Sequence, residues 1–201
     1  MSILKKINEL IKGKDLKYIW EQFAVEKNGT LKSTSGDLFV EYSHSDFCYK
    51  ITNHTHYITS GGRTYEKKYM IGIVQFNNPT KFELCVTKED ILTKIGKIFN
   101  IKDIRINNTY FDTKYFLKSN YDYKATSILK NEDLLNLIIT LNPDRIEITN
   151  KNGLFDEIPD NGKYMLYFAK QEKLKTIDQL NLIHSTLSSF IEILKNNYSI
   201  H

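Results

Sequence analysis

Apolar and polar positions divide this chain into helical and alternating stretches. Ile3, Leu4, Ile7, Leu10 and Ile11 fall on one helical stripe, with Lys5, Lys6, Asn8 and Glu9 elsewhere. Gly13 ends that helix. Asp15 can cap a second one, in which Leu16, Ile19, Trp20 and Phe23 share a face, and Asn28-Gly29 closes it. Thr30–Gly36 is polar and reads as a loop. From Leu38 the period changes to two. Phe47, Tyr49 and Ile51 alternate with Cys48, Lys50 and Thr52. Tyr65 to Phe76 places Met70, Val74 and Phe76 on one face. Phe82, Leu84 and Val86 alternate with Lys81, Glu83 and Cys85. Ser60-Gly61-Gly62-Arg63 and Asn77-Asn78-Pro79 are turn signals between these runs. The connections are too short for parallel crossovers, so the pattern predicts an antiparallel meander of about four strands.

Thr87 then opens a predicted helix, with Asp90 in the capping-box position and a stripe of Ile91, Leu92, Ile95, Ile98 and Phe99. Strands follow at Asp103–Ile106 and Phe111–Lys118. Two short helices are predicted near Tyr121–Leu129 and Glu132–Leu141, with Asn131 as a cap between them. Strands return at Arg145–Thr149 and Tyr164–Ala169, beside the turn dipeptides Asn152-Gly153 and Asn161-Gly162. The last element is the best marked. Thr176 and Gln179 form a capping box, and Ile177, Leu180, Ile183, Leu187, Phe190, Ile191 and Leu194 make a broad apolar face. That face is wider than a coiled-coil seam, so the helix is expected to lie on its own sheet.

The run Tyr110-Phe111-Asp112-Thr113-Lys114-Tyr115-Phe116-Leu117-Lys118-Ser119-Asn120 is similar to a pattern in uncharacterised bacterial domains of unknown function. In those, a Phe-Asp pair precedes an aromatic strand and a Ser-Asn or Ser-Asp pair caps the next helix. The resemblance spans residues 95–198. It implies an α+β fold and transfers no catalytic residue. On this reading Phe111, Tyr115 and Leu117 face one way on a strand, and Ser119 or Asn120 caps.

Composition narrows the function classes. The 201 residues are 41% hydrophobic and 26% charged, ordinary globular values. Few prolines and abundant Lys, Asn, Ile and Tyr point to an AT-rich, bacterial coding sequence. The net charge of +4 is mildly basic. The lysines are interleaved with Asp and Glu, and Arg63, Arg105 and Arg145 are the only arginines. A surface that reads phosphates or bases uses more guanidinium groups, so no specific nucleic acid is expected. Cys48 and Cys85 are too few for a disulfide framework or a thiolate zinc site. No run approaches the ~20 apolar residues that span a bilayer, and no signal peptide is recognisable. A cytoplasmic location is expected.

Candidate chemistry is sparse. His54 and His56 lie two apart in a strand-like run, so both imidazoles can face one ion. A third ligand is missing. His44 falls at a hairpin tip about 8 residues away, or ~26 Å at strand rise. A turn at Gly61-Gly62 brings Lys67 opposite His56, where a cation opposes a metal. The expectation is therefore no metal and no cofactor, with His54 and His56 as exposed structural histidines. His184 sits on the apolar stripe of the last helix and reads as a core or interface residue. Ser60-Gly61-Gly62-Arg63-Thr64 lacks the following helix that an anion-binding loop exploits. Lys5, Lys6, Lys12 and Lys14 give the first helix a basic face, but contact with a membrane surface is not expected.

These readings predict an α+β protein: an antiparallel sheet, made of a meander plus later strands, packed against several helices including the long C-terminal one. Residues 1–29 form an N-terminal helical segment and residues 30–201 a single domain. The expected function is a non-enzymatic soluble domain that binds a protein partner or itself. The alternative is an enzyme, metal-dependent or hydrolase-like, without a recognisable motif.

Overall fold

The computed structural model describes residues 16–34, 36–89, 103–153, 155, 157–198 and 200–201. The first predicted helix, Asp15, Asp90 and the stripe from Ile91 to Phe99 lie outside the described residues. Helix α1 covers residues 16–26. Strands β1 (Thr30–Thr34), β2 (Asp37–His44), β3 (Phe47–Ser60), β4 (Arg63–Phe76) and β5 (Leu84–Lys88) follow. Next come α2 (Thr109–Lys114), β6 (Tyr115–Ser119), α3 (Asp122–Leu129) and α4 (Glu132–Leu141). The chain ends with β7 (Arg145–Thr149), β8 (Tyr164–Lys170) and α5 (Ile177–Tyr198).

All eight strands join one sheet in the order β1-β2-β3-β4-β8-β7-β5-β6, and every pairing is antiparallel. The α+β expectation holds. The meander is β1 to β4. The run around Phe82–Val86 does not continue it: β8 takes the place beside β4, and β5 pairs with β6 and β7 instead. β4 reads YMIGIVQF at its inner end and is buried on both faces, as a central strand must be.

Alternation sorts the sheet's two faces. Met70, Val74 and Phe76 of β4 and Leu166 and Phe168 of β8 point into the main core. Trp20 and Phe23 of α1, Phe111 of α2, Ile128 of α3, Ile138 of α4 and Leu187 of α5 fill the same core. The five described helices thus share one face. Gly72 lets α5 come close. A Cβ there would lie 2.8 Å from Leu187 Cδ1 and 2.9 Å from Ile183 Cγ2, inside van der Waals contact. The opposite face holds a smaller apolar set, Ile71, Ile73, Met165, Tyr167 and Ala169, packed against Tyr69 and Phe155.

Caps follow the sequence in three places. Thr176 N–H donates to Gln179 Oε1 at 3.1 Å, and Gln179 N–H to Thr176 Oγ1 at 3.4 Å, at the start of α5. Asn131 Oδ1 accepts from Leu134 N–H and starts α4. Asn28 takes a positive φ of 51° as α1 ends.

Five expectations need correction. Thr30–Thr34 is a strand and not a loop. Its side chains are mostly exposed, and the backbone ladder to β2 holds it. Thr87 does not open a helix; it lies inside β5, opposite Phe116 and Arg145. Phe111–Lys118 is not one strand. Asn108 Oδ1 accepts from Phe111 N–H and nucleates α2, and the strand begins only at Tyr115. Asp103–Ile106 forms no strand. It lies along β6 through Ile104 N–H to Leu117 O, while the Asp103 carboxylate takes the Leu117 N–H. Neither Ser119 nor Asn120 caps α3, whose N-cap is Tyr121 without a side-chain bond. Asn120 instead ties β6 to the 81–83 loop, accepting from Glu83 N–H and donating to Lys81 O.

Candidate functional site

The face opposite the helices is the candidate site. The β7–β8 connection crosses it at Gly153 and Phe155. Gly153 within that loop sits over the Tyr167 ring: a Cβ there would approach ring carbons at 3.0 and 3.2 Å. Phe155 reaches β3 and β4. Its ring lies 4.5 Å from His54, 5.3 Å from His56 and 4.6 Å from Tyr69, centroid to centroid. The loop thereby divides the face into two hollows.

The larger is an open groove of about 940 Å³. Cys48, Lys50, Ile73, Gln75 and Met165 line its floor, from β3, β4 and β8. Glu157, Ile158, Asp160 and Lys163 wall one side. Gln75 fixes that wall, because its Oε1 accepts the Asp160 N–H at 2.8 Å. Ile158, 68% exposed, offers an apolar contact at the rim. Floor and wall carry both charge signs, Lys50 and Lys163 against Glu157 and Asp160, around the apolar Ile73 and Met165.

The smaller hollow, about 250 Å³, lies over β7, β5 and β6 and is lined by Cys85, Thr87, Phe116, Lys118, Arg145 and Glu147 among others. Arg145 Nε donates to Glu147 Oε2 at 2.8 Å, so its guanidinium is already paired. Burial pushes the Cys85 thiol up, and the neighbouring Glu147 carboxylate adds to this against the opposing pull of Arg145. A thiol held protonated is not an activated nucleophile. Tyr167 is fully buried between the hollows. Burial and then Glu157 raise its phenol well above the ordinary range.

The structure gives His54 and His56 an architectural place, half-buried and not exposed as expected. His56 stands opposite Lys67, as the turn predicted. Both imidazoles clasp Phe155, and His54 Nδ1 lies 3.5 Å from Asp37 Oδ2. Asp37 also accepts from Asn53, the Thr55 hydroxyl and the Thr55 N–H, so it holds the edge of β3. Among the described residues no three His, Cys, Asp or Glu side chains gather where a metal ion could sit.

His184 sits on the helix side of the sheet. The Tyr42 hydroxyl meets its Nδ1 at 2.9 Å, and the Ser188 hydroxyl lies 3.4 Å from the same nitrogen. The His44 ring is 4.9 Å away by centroids. Burial, then the charges of Lys27 and His44, lower its pKa to about 4. A general base works best near the operating pH and is oriented by a further group. His184 has no carboxylate among these partners, and Ser188 beside it is buried. Neither His54 nor His184 lines the groove or the smaller hollow.

Sequence reasoning missed the meeting of His44 with His184 and the place of Phe155, each made by chain segments about a hundred residues apart or more. The Asn28-Gly29 and Ser45-Asp46 turns bring α1 and β2 onto α5, and no local signal carries that.

No protein-family model, no curated protein and no solved structure matches the chain. No described helix is long and apolar enough to cross a membrane.

Proposed function

We propose that the chain is a non-enzymatic, soluble, cytoplasmic binding domain that uses the groove on the sheet face that carries none of the described helices. One observation carries this reading. The five described helices pack on one face, and among the described residues the other keeps an open groove of about 940 Å³ floored by apolar and polar side chains together. An open antiparallel face of this kind can hold a peptide or an elongated small molecule without any reacting group. The enzymatic alternative would need the smaller hollow. There the thiol is held protonated and the arginine is paired, so neither offers an activated nucleophile or a free electrophilic cation, and the other cations of the lining are Lys118 and Lys151.

The test fills the groove from an exposed floor position. Cys48 is exposed, so Cys48→Trp leaves the core intact. Wild type and variant are screened by thermal shift against libraries of metabolites and short peptides. The reading expects hits for the wild type that the variant loses. Turnover of a library compound that survives Cys48→Trp and disappears in Arg145→Ala would establish the enzymatic alternative instead.

A further inference from the structure

The β3–β4 hairpin outruns the sheet. β2 pairs with β3 only as far as Thr52, and β8 pairs with β4 only from Met70. The ladder between β3 and β4 continues to Ser60 and Arg63. Residues 53–60 and 63–69 therefore form a two-stranded ribbon whose outer edges pair with no strand among the described residues. A ribbon of two strands is marginal in water without further cover.

The register shows which backbone groups are open. A two-residue turn at Gly61-Gly62 makes Ser60 and Arg63 a hydrogen-bonded pair. Such pairs recur at every second residue, so Ile58 and His56 turn their backbone groups to β4. Thr55, Tyr57 and Thr59 turn theirs outward. Thr55 confirms the phase, because its N–H leaves the ladder and is taken by Asp37 Oδ2 at 3.2 Å. Asp37 closes the free edge at one end and the glycine turn closes it at the other. The open stretch runs from the Thr55 carbonyl to Thr59.

The two edges are guarded differently. The β4 edge carries Arg63, Glu66, Lys67 and Lys68, the charges that keep sheet edges from pairing. The β3 edge from Asn53 to Ser60 reads NHTHYITS, with no Lys, Arg, Asp, Glu, Gly or Pro. It is rich in residues that favour strands, and Tyr57 is 65% exposed.

We infer that this β3 edge, Thr55 to Thr59, pairs antiparallel and two-fold with the same edge of a second copy of the chain. An axis at Tyr57 sets Tyr57 opposite its own counterpart. Thr55 then faces the counterpart of Thr59, and His56 that of Ile58. The pairing uses the whole open stretch and opposes no like charges. The same operation on the β4 edge about Glu66 would set carboxylate against carboxylate. An uncharged edge offers a charged foreign strand no selection, whereas a second copy brings the same strand-forming stretch. The inference goes beyond the groove and does not depend on what the groove holds.

The contact is small, below the ~1,200 Å² at which standard stable interfaces begin. Dissociation constants between about 1 µM and 1 mM are therefore expected. Sedimentation velocity over that concentration range tests the inference on three chains: wild type, Tyr57→Lys and Thr64→Lys. Both substitutions are at exposed ribbon positions, and circular dichroism checks that each variant is folded. The wild type should dimerise, Tyr57→Lys should weaken the dimer at least tenfold, and Thr64→Lys on the guarded edge should not. A wild type that stays monomeric overturns the inference, as does a dimer indifferent to Tyr57→Lys. A monomer that binds oligothymidylate through Arg63 and Lys67 would also overturn it, making the ribbon a nucleic-acid contact.

Discussion

The two faces of this sheet share every strand and differ in what covers them. On β4, Met70, Val74 and Phe76 join the core that the described helices fill and Gly72 meets α5, while Tyr69 and Ile71 belong to the small apolar set around Phe155 and Ile73 and Gln75 line the groove. The first face is close-packed to the point that Gly72 has no room for a methyl group. The second keeps polar groups beside apolar ones and two hollows. A sheet covered on one face puts most of its stability there and leaves the other free for recognition. Substitutions on the two faces should therefore differ in size and in what they change.

The largest effect is expected at the centre of the packed face. Leu187 is buried in α5 against Gly72, so Leu187→Ala should cost about 2–5 kcal/mol, as core truncations do. Chemical denaturation at two protein concentrations measures this. An unchanged midpoint together with loss of a dimer would move α5 from the core to an interface. Gly72→Val attacks the same contact from the sheet side. Overpacking there should cost about 1–3 kcal/mol. If the variant is as stable as wild type, α5 does not lie as close to β4 as described.

On the open face the corresponding loss should be smaller. Phe155→Ala removes ring contacts with His54, His56 and Tyr69, which should cost about 0.5–1.5 kcal/mol beyond the apolar area it exposes. It should also loosen the loop, seen as faster hydrogen exchange at Gly153, whose N–H bonds to Glu157 O. A cost as large as that of Leu187→Ala would erase the contrast between the faces.

How far the sequence showed all this depends on the range of each interaction. Local rules placed α5 and its capping box, Asn131, and the hairpin that sets Lys67 opposite His56. Those features need only neighbours in sequence. β-rich composition misled at Phe111–Lys118, where Tyr, Phe and Thr suggested one strand. Asn108, three residues before Phe111, was the helix signal that could have corrected it. The place of β8 beside β4 was not legible, because strand order is chosen by packing over the whole sheet. The groove was not legible either. Its floor takes residues from β3, β4 and β8, and its depth comes from the loop wall that Gln75 holds.

A pH-dependent effect marks the soft spot of the packed face. His184 has an ordinary pKa of 6.5 when unfolded and about 4 in the fold. As pH falls below 6.5 the unfolded chain takes up a proton that the folded chain refuses. Stability from this group is complete above 6.5, declines towards pH 4 and then levels off. Tyr42, His44, Lys27 and Ser188 surround the ring, and none of them offers a carboxylate to hold the proton. Denaturation midpoints at pH 7 and pH 5 should differ less in His184→Gln than in wild type. Equal differences would mean that the ring protonates freely in the fold.

The openness of the face opposite the described helices is tested most directly by the two native thiols, which both lie on it. Cys48 is exposed on the groove floor, whereas Cys85 is half-buried in the smaller hollow and its thiol is held protonated. Titration of the folded protein with a chromogenic disulfide reagent at pH 8 should give one fast-reacting thiol. A Cys48→Ser variant should abolish that phase, and the second thiol should react at speed only in denaturant. No fast thiol in the folded wild type would mean that the groove is covered, contradicting the account of this face as the protein's binding surface.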